Sequence, residues 1–168
     1  VFGLVGSEMC IRDRNNTNFV NATGLPDEMH YTTAEDLAVL TRALINRFPE
    51  HYAIYSEKYF SYNDIRQANR NALLWRDDSV DGVKTGHTQA AGYCLVASAM
   101  ENDTRLISVV MGARDERTRA AESQKLLNYG FRYYETVNLY AAGSSLKRVR
   151  VWSGLHESLE VGLADAIT

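Results

Sequence analysis

Two short apolar segments joined by a polar link constrain the fold of this chain most strongly. Residues 92–99 and 105–111 are each dominated by apolar side chains, and Glu101-Asn-Asp-Thr104 lies between them. Apolar runs of this length, bounded by turn-forming residues, are typical of buried strands. A polar link this short suits a hairpin connection. The sequence therefore predicts a hairpin of two buried strands.

Further strands are predicted at three earlier places. Residues 59–62 and 72–75 are short and aromatic or apolar, residues 76–79 resemble a turn, and residues 80–86 again suit a strand. A long helix is predicted from Asp115 to about Tyr134, with four residues on its buried side: Ala120, Leu126, Leu127 and Phe131. Strands and a helix in this order indicate an α+β fold, an antiparallel sheet covered by helices.

A helical region is predicted before the strands. Thr32 and Glu35 have the spacing of a capping box. The apolar residues that follow fall on one helical face, namely Leu37, Leu40, Leu44, Ile45 and Phe48. Pro49 ends or redirects this helix, and a short second helical stretch is predicted over residues 50–56. Upstream of both, Asn21-Ala-Thr-Gly-Leu-Pro-Asp27 has the composition of a loop.

The two ends of the chain differ from its middle. The first residues match neither a helix nor a strand, and residues 6–14 resemble a translated sequencing adapter, so we interpret 1–14 as a non-native leader. An unusual native strand is the alternative. After Tyr140, a turn at 143–145 and alternating segments at 149–152 and 159–162 predict the start of a separate β domain. Thirty residues bury too little surface for a core of their own.

Composition excludes several classes of function. Hydrophobic residues make up 45% of the 168 residues, so a core can form, and the net charge of -3 provides no basic face for nucleic acid. No apolar run approaches the roughly 18 residues of a membrane span. The two cysteines, Cys10 and Cys94, and the scattered histidines lack the spacing of a metal site. We expect neither a metal nor a cofactor.

One tripeptide carries candidate chemistry. Lys84-Thr85-Gly86 ends the predicted strand at 80–86, and His87 and Thr88 follow it. A lysine there places a positive charge beside a pocket, and a threonine hydroxyl can bind a carboxylate. A glycine leaves room for an extended peptide to pair with the strand. Penicilloyl serine transferases combine such a tripeptide with S-x-x-K and S-x-N motifs. An exposed lysine on an ordinary strand is the alternative explanation.

The wider sequence resembles one family over residues 15–168. The similarity lies in ordered segments along the chain, which are residues 19–26, 52–54, 69–71, 74–75, 80–88, 91–99, 105–112, 122–127 and 130–132. Together these segments resemble the low-molecular-mass penicillin-binding D-alanyl-D-alanine carboxypeptidases of Gram-negative bacteria. The resemblance implies a penicillin-binding-protein/β-lactamase-like transpeptidase domain over residues 15–138 and a truncated β domain over residues 139–168.

The resemblance also implies an acyl-enzyme mechanism. A serine attacks the carbonyl of the penultimate D-Ala of a peptidoglycan stem peptide, the terminal D-Ala leaves, and water releases the shortened peptide. In this chain it assigns Lys84 as the third-motif lysine, the backbone N–H of His87 as an oxyanion donor, and Thr85 and Gly86 to the substrate strand. Arg119 and Arg70 match arginines that bind the terminal carboxylate and line the cleft. A solvated helix residue is the alternative for Arg119.

The nucleophile serine and its lysine are predicted to be absent from the chain. Ser144 and Lys147 have the S-x-x-K spacing but follow the third motif, in the predicted β tail. Ser61 and Asn63 have the S-x-N spacing but fall in a segment that matches a family strand. Both pairs are rejected as catalytic motifs, and we expect the chain to be inactive.

The resemblance implies partners and a location for the full-length protein. The partners are stem peptides ending in D-Ala-D-Ala and, as covalent inhibitors, β-lactam antibiotics. The location is the periplasm, with attachment to the inner membrane by a C-terminal amphipathic helix that we do not find here. Two alternatives are a class A β-lactamase-like hydrolase and a non-catalytic peptidoglycan-binding module.

Overall fold

The computed structural model describes residues 16–167. The interpretation of residues 1–14 as a leader therefore lies outside the described residues. The chain divides into two units, with the boundary between Tyr133 and Tyr134. The elements of the first unit are, in chain order, α1 (Ala34–Arg47), α2 (Pro49–Tyr52), a 3-10 helix (Ala53–Ser56), β1 (Tyr59–Tyr62), β2 (Ile65–Ala68), a second 3-10 helix (Ala72–Trp75), β3 (Val80–Thr88), β4 (Gly92–Glu101), β5 (Thr104–Ala113) and α3 (Glu116–Tyr133).

A three-stranded antiparallel sheet in the order β3-β4-β5 lies at the centre of this unit. The predicted hairpin is confirmed as β4 and β5, with Glu101 opposite Thr104. Asn102 and Asp103 between them have φ values of 46° and 63°. Both are small polar residues that tolerate the left-handed region, so the turn closes without glycine. The predicted α+β class is confirmed.

The core lies between the sheet and α3. Side chains alternate across a strand, so Leu95, Ala97 and Ala99 of β4 share one face, and all are at most 1% exposed. Ala120 and Leu127 of α3 join them in one cluster. The prediction that Leu126 is buried is wrong, since it is 49% exposed. The buried face of α3 includes the small residues Ser123 and Gly130, and Leu126 lies outside this face.

Helix α1 begins one residue later than predicted. Its N-cap is Thr33, whose hydroxyl accepts from the Asp36 backbone N–H at 3.1 Å, so the capping box at Thr32 and Glu35 is wrong. Asp36 is buried, and its carboxylate accepts hydrogen bonds from the Thr17 hydroxyl and the Asn16 backbone N–H. This buried carboxylate ties the preceding loop to the helix. The predicted second helical stretch is confirmed by α2 and the 3-10 helix Ala53–Ser56.

Residues 72–75 form a 3-10 helix, so the predicted strand there is wrong. The Asn71 side chain accepts from the Leu73 backbone N–H at 3.2 Å and caps this turn. Capping by an asparagine side chain competes with strand formation and directs Leu73 and Leu74 into the core. β1 is confirmed as predicted, and it pairs antiparallel with β2, which the sequence did not predict.

The second unit contains β6 (Ser145–Arg150) and β7 (Ser158–Gly162), which pair antiparallel. Every residue of both strands is exposed. This matches the expectation that so short a tail cannot bury a core. The division of the chain at residues 138 and 139 stays a prediction.

None of the helices within residues 16–167 combines the length and apolar character needed to cross a membrane.

Candidate functional site

β3 presents the Lys84-Thr85-Gly86 tripeptide at an edge of the sheet. Its pairing with β4 runs from Val80 to Thr88, and no second strand pairs with it among the described residues. Lys84 and Gly86 are exposed, while Thr85 is half-buried. The Lys84 ammonium donates to the Thr85 carbonyl at 2.6 Å. The tripeptide therefore lies at an accessible strand edge, where an extended peptide can pair with the backbone.

An open groove of about 1290 Å³ lies along this strand. The loop from Phe19 to Asp27 lines it together with residues 84–88. The Asn21 side chain holds the loop, because its carbonyl oxygen accepts from the Gly24 N–H at 2.7 Å and the Leu25 N–H at 3.1 Å. Gly24 has φ +75°, which only glycine adopts without strain. The sequence predicted this loop but not its place beside β3.

α3 places Arg119 behind the tripeptide. Its guanidinium donates to the Gly86 carbonyl at 3.2 Å and to the Glu116 carboxylate at 3.2 Å. The residue is 3% exposed, so the alternative of a solvated helix residue is wrong. The helix that carries it begins beside Asp115, whose carboxylate accepts from the Thr118 backbone N–H at 2.6 Å. Arg119 is thus fixed against β3.

Arg70 brings a further positive charge to the groove. It is exposed, follows β2 in the chain, and lines the groove together with Lys84. The pKa of Lys84 is lowered from its usual value, first by loss of hydration and then by the charges of Arg70 and Arg119. Three cations around one strand edge favour an anionic ligand, because such a ligand relieves their mutual repulsion.

The imidazole of His87 lies against the ring of Tyr93, its pairing partner on β4, with ring centroids 4.0 Å apart and the rings tilted by 34°. The imidazole of His87 therefore packs against a side chain of β4. The prediction that the His87 backbone N–H is an oxyanion donor concerns the main chain, and it stays a prediction. The catalytic and substrate-binding roles of Lys84, Arg70 and Arg119 likewise stay predictions.

The two rejected motifs lie on strands and in turns. Ser61 is on β1 and Asn63 is in the turn that follows, with φ 48°. Ser144 directly precedes β6, so Lys147 lies on a strand and not one helical turn after the serine. Neither pair has the helical or loop geometry that those motifs need.

Sequence reasoning missed three residues at or near the groove. Cys94 pairs with Gly86 across the strands and lines the groove. Tyr93 contacts His87, and its ring also lies 5.5 Å from the Arg119 guanidinium. Asn71 bonds to β3 next to the tripeptide. For Cys94 and Tyr93 the available signal was their place at the start of the next predicted strand, where they lie opposite Gly86 and His87. Among residues 16–167, no cluster of three or more candidate metal ligands is found.

A lysine–threonine–glycine edge strand, a helix behind it and a cationic groove beside it are features of the substrate-binding side of a penicilloyl-serine-transferase type of domain. The family model described as D-alanyl-D-alanine carboxypeptidase matches residues 13–115. The chain belongs to the D-alanyl-D-alanine carboxypeptidase family.

Individual relatives agree with this family. The chain is 47% identical to the D-alanyl-D-alanine carboxypeptidase DacA of Escherichia coli over 162 residues, which is 96% of this chain and 40% of the relative. The structure of penicillin-binding protein 5 from Haemophilus influenzae matches with a TM-score of 0.84 and 46% identity, over 92% of this chain and 45% of that chain.

Penicillin-binding protein D2 from Listeria monocytogenes, in its ampicillin-bound form, matches with a TM-score of 0.64 and 33% identity, over 68% of this chain and 48% of that chain. The chain thus spans less than half the length of DacA and about half of each structure. The comparisons lend no support to the β-lactamase or binding-module alternatives.

Proposed function

We propose that this chain carries the substrate-binding side of a serine-type D-Ala-D-Ala carboxypeptidase. The observation that carries the proposal is the accessible edge of β3, where Lys84, Arg70 and Arg119 concentrate positive charge. The terminal carboxylate of a stem peptide supplies the anion that this charge favours. An arginine presents a planar fork of donors to a carboxylate, whereas a lysine contributes a point charge.

The stem peptide extends along β3 in this proposal. Backbone pairing with an edge strand supplies hydrogen bonds, and the Thr85 hydroxyl adds one to the carboxylate. At Gly86, an added Cβ would meet only the Cβ of Cys94, at 3.9 Å. Packing within the sheet therefore does not require glycine there. Its missing side chain instead leaves the strand open to the ligand.

The chemical step requires a serine that we place in the part of the relatives that this chain does not span. The serine oxygen bonds to the carbonyl carbon of the penultimate D-Ala while its proton passes to a neighbouring base. The peptide bond then breaks, and the terminal D-Ala leaves with a proton on its amine. Water hydrolyses the ester and restores the serine. An oxyanion donor such as the His87 N–H contributes about 10²–10³ in rate in comparable enzymes.

The same groove accommodates β-lactams in this proposal, as the ampicillin-bound form of the Listeria relative suggests. Cleavage of stem peptides is a step in peptidoglycan maturation, so we place the full-length protein in the periplasm. We propose further that a C-terminal amphipathic helix holds the full-length protein at the inner membrane. Nucleic acid has no part in the proposal, because the net charge is -3.

The 168-residue chain should bind the dipeptide N-acetyl-D-Ala-D-Ala without reacting. In NMR titration, the amide signals of residues 84–88 should shift, while the enantiomer N-acetyl-L-Ala-L-Ala causes little change. A fluorescent penicillin should leave no label that survives denaturation, whereas penicillin-binding protein 5 from Haemophilus influenzae serves as the labelled control. Unshifted β3 amides would contradict the binding role, and a covalent label would contradict the predicted inactivity.

The affinity for this dipeptide should depend on the charge of Lys84. A bound carboxylate favours the ammonium form, so binding raises the pKa of Lys84 from its lowered value in the free chain. Once the carboxylic acid of the dipeptide is ionised, above about pH 4, affinity should therefore be constant up to the free pKa of Lys84 and fall as the pH rises through it. The variant Lys84→Met should bind more weakly and lose this alkaline decline.

A further inference from the structure

Two asparagines flank Arg70 and connect it to different parts of the fold. The Asn69 amide nitrogen donates to the Glu57 carbonyl at 3.0 Å, just before β1. The Asn69 side-chain oxygen accepts from the Asn71 backbone N–H at 3.0 Å. Asn69, which directly precedes Arg70, therefore fixes the backbone there to the base of the β1–β2 hairpin.

Asn71, which directly follows Arg70, fixes the backbone there to β3. It is 1% exposed, and its amide nitrogen donates to the Gly82 carbonyl at 3.0 Å. Its oxygen accepts from the Leu73 N–H at 3.2 Å. Gly82 lies on β3, two residues before Lys84. One buried side chain thus connects the backbone beside Arg70 with the backbone beside Lys84.

The other side of Gly82 is closely packed as well. An added Cβ at Gly82 would lie 2.9 Å from the Tyr52 hydroxyl oxygen, so the tyrosine ring covers this part of β3. The Tyr52 hydroxyl donates to the Asp81 carboxylate at 2.5 Å, and Arg105 of β5 bonds to the same carboxylate at 2.7 Å. The segment of β3 to which Asn71 bonds is therefore held from several directions and provides a rigid reference for Arg70.

We propose that Asn71 is a positioning residue that, through its bond to Gly82, holds Arg70 beside Lys84 so that both cations address one ligand carboxylate. This inference rests on the proposed function, in which the groove binds a stem-peptide carboxylate. A buried amide with both of its polar atoms bonded has one preferred orientation, because any other leaves a buried donor or acceptor unpaired.

The electrostatics of the groove agree with this role. Arg70 contributes to the lowered pKa of Lys84, and loss of hydration and Arg119 are the other causes. The remaining titratable groups that line the groove are Asp27, His30 and Tyr31, all before α1, together with His87 on β3 and Cys94 on β4. Movement of Arg70 away from the groove removes one repulsive charge and brings the pKa of Lys84 closer to its ordinary value.

The first test is the titration of Lys84 by NMR in the 168-residue chain. In Asn71→Ala, the pKa of Lys84 should rise towards the ordinary lysine value, as it should in Arg70→Ala. The matched control is Leu73→Ala, which removes a buried side chain from the same 3-10 turn but leaves the bond to Gly82. An Asn71→Ala titration that coincides with wild type and with Leu73→Ala would overturn the proposal.

The second test is affinity for N-acetyl-D-Ala-D-Ala. Asn71→Ala and Arg70→Ala should each weaken binding by about tenfold, the size expected for one charge-assisted hydrogen bond. The double variant should be no weaker than Arg70→Ala, since both changes remove the same interaction. Additive losses in the double variant would contradict a role through Arg70.

A milder variant covers a failure of Asn71→Ala to fold. In Asn71→Ser the hydroxyl can still cap the Leu73 N–H but is too short to reach Gly82. The pKa of Lys84 and the dipeptide affinity of this variant should therefore change in the same direction as in Asn71→Ala.

The proposed function and the role of Asn71 can fail separately. Absence of dipeptide binding by the wild-type chain counts against the proposed function, whereas the Lys84 titration tests Asn71 without any ligand.

Discussion

The β1–β2 and β4–β5 hairpins have the same kind of turn and opposite environments. The central residues are Asn63 and Asp64 in one, with φ 48° and 60°, and Asn102 and Asp103 in the other, with φ 46° and 63°. Positive φ at both positions matches the twist of a two-residue hairpin. Yet every residue of β1 and β2 is exposed, while β4 contributes much of the core. Turn chemistry thus specifies the hairpin, and packing specifies its contribution to stability.

The different environments follow from the neighbours of each hairpin. β4 pairs on both sides and packs against α3, whereas β1 and β2 pair only with each other among the described strands. A two-stranded hairpin is marginal alone. The Arg66 guanidinium lies 3.7 Å from the Tyr59 centroid within this hairpin, and the Tyr59 ring contacts Trp75 outside it. It should therefore open without unfolding the sheet.

Truncation of a core side chain should separate the two hairpins most clearly. Leu95→Ala on β4 should lower the free energy of unfolding by about 2–5 kcal/mol, because it leaves a cavity in the core. Phe60→Ala on β1 should change it by no more than about 0.5 kcal/mol, since Phe60 is 65% exposed. Urea denaturation measures both. Equal losses would show that β1–β2 is part of the cooperative core.

A β-branched residue in each turn should have a smaller effect, and again an unequal one. Asp103→Val forces valine into the left-handed region, which costs about 1–2 kcal/mol and should appear in global unfolding. Asp64→Val introduces the same strain in β1–β2. There it should accelerate hydrogen exchange of the β1 and β2 amides while the global transition stays in place. A matching drop in global stability for both variants would refute the distinction.

A fall in pH should produce the smallest change in the free energy of unfolding, and it should act through Asp77, which lies just before β3. Burial raises the pKa of Asp77, but hydrogen bonds from Ser79 and from Gln124 of α3 outweigh it, so the pKa lies below its ordinary value. The stabilisation is present above the unfolded pKa of about 3.9 and is lost as the pH falls through the lower folded pKa. Denaturation measured below about pH 4 should show this loss, and Asp77→Asn should reduce it.

Much of the sheet could be predicted from the sequence because its signals are local. The apolar runs on either side of Glu101–Thr104 gave β4 and β5, and the Lys84-Thr85-Gly86 segment was placed on a strand. Residues 72–75 were mistaken for a strand because the apolar run Ala-Leu-Leu-Trp fits either structure. The deciding factor was the Asn71 cap, together with burial of Leu73 and Leu74. Side-chain capping together with burial in the core outweighs the weak strand propensity of such a short segment.

The groove could be predicted only in part. Lys84, Arg70 and Arg119 were named from the family resemblance, but their roles are still predictions. Arg119 lies 33 residues from the Gly86 carbonyl that it contacts. Local periodicity carries no information about such a contact, since it depends on how α3 packs across the sheet. The loop containing Asn21 was recognised as a loop, yet its place beside β3 also depends on packing.

By itself, the sequence determined which segments could turn, which could extend, and where a lysine–threonine–glycine strand would lie. These properties depend on neighbouring residues in the chain, through alternation, side-chain capping and tolerance of positive φ. The tertiary structure decided which of two similarly turned hairpins is buried, and it brought Arg70 and Arg119 to Lys84. Burial and charge proximity depend on contacts between distant segments, so only the packed sheet and its helix could set them.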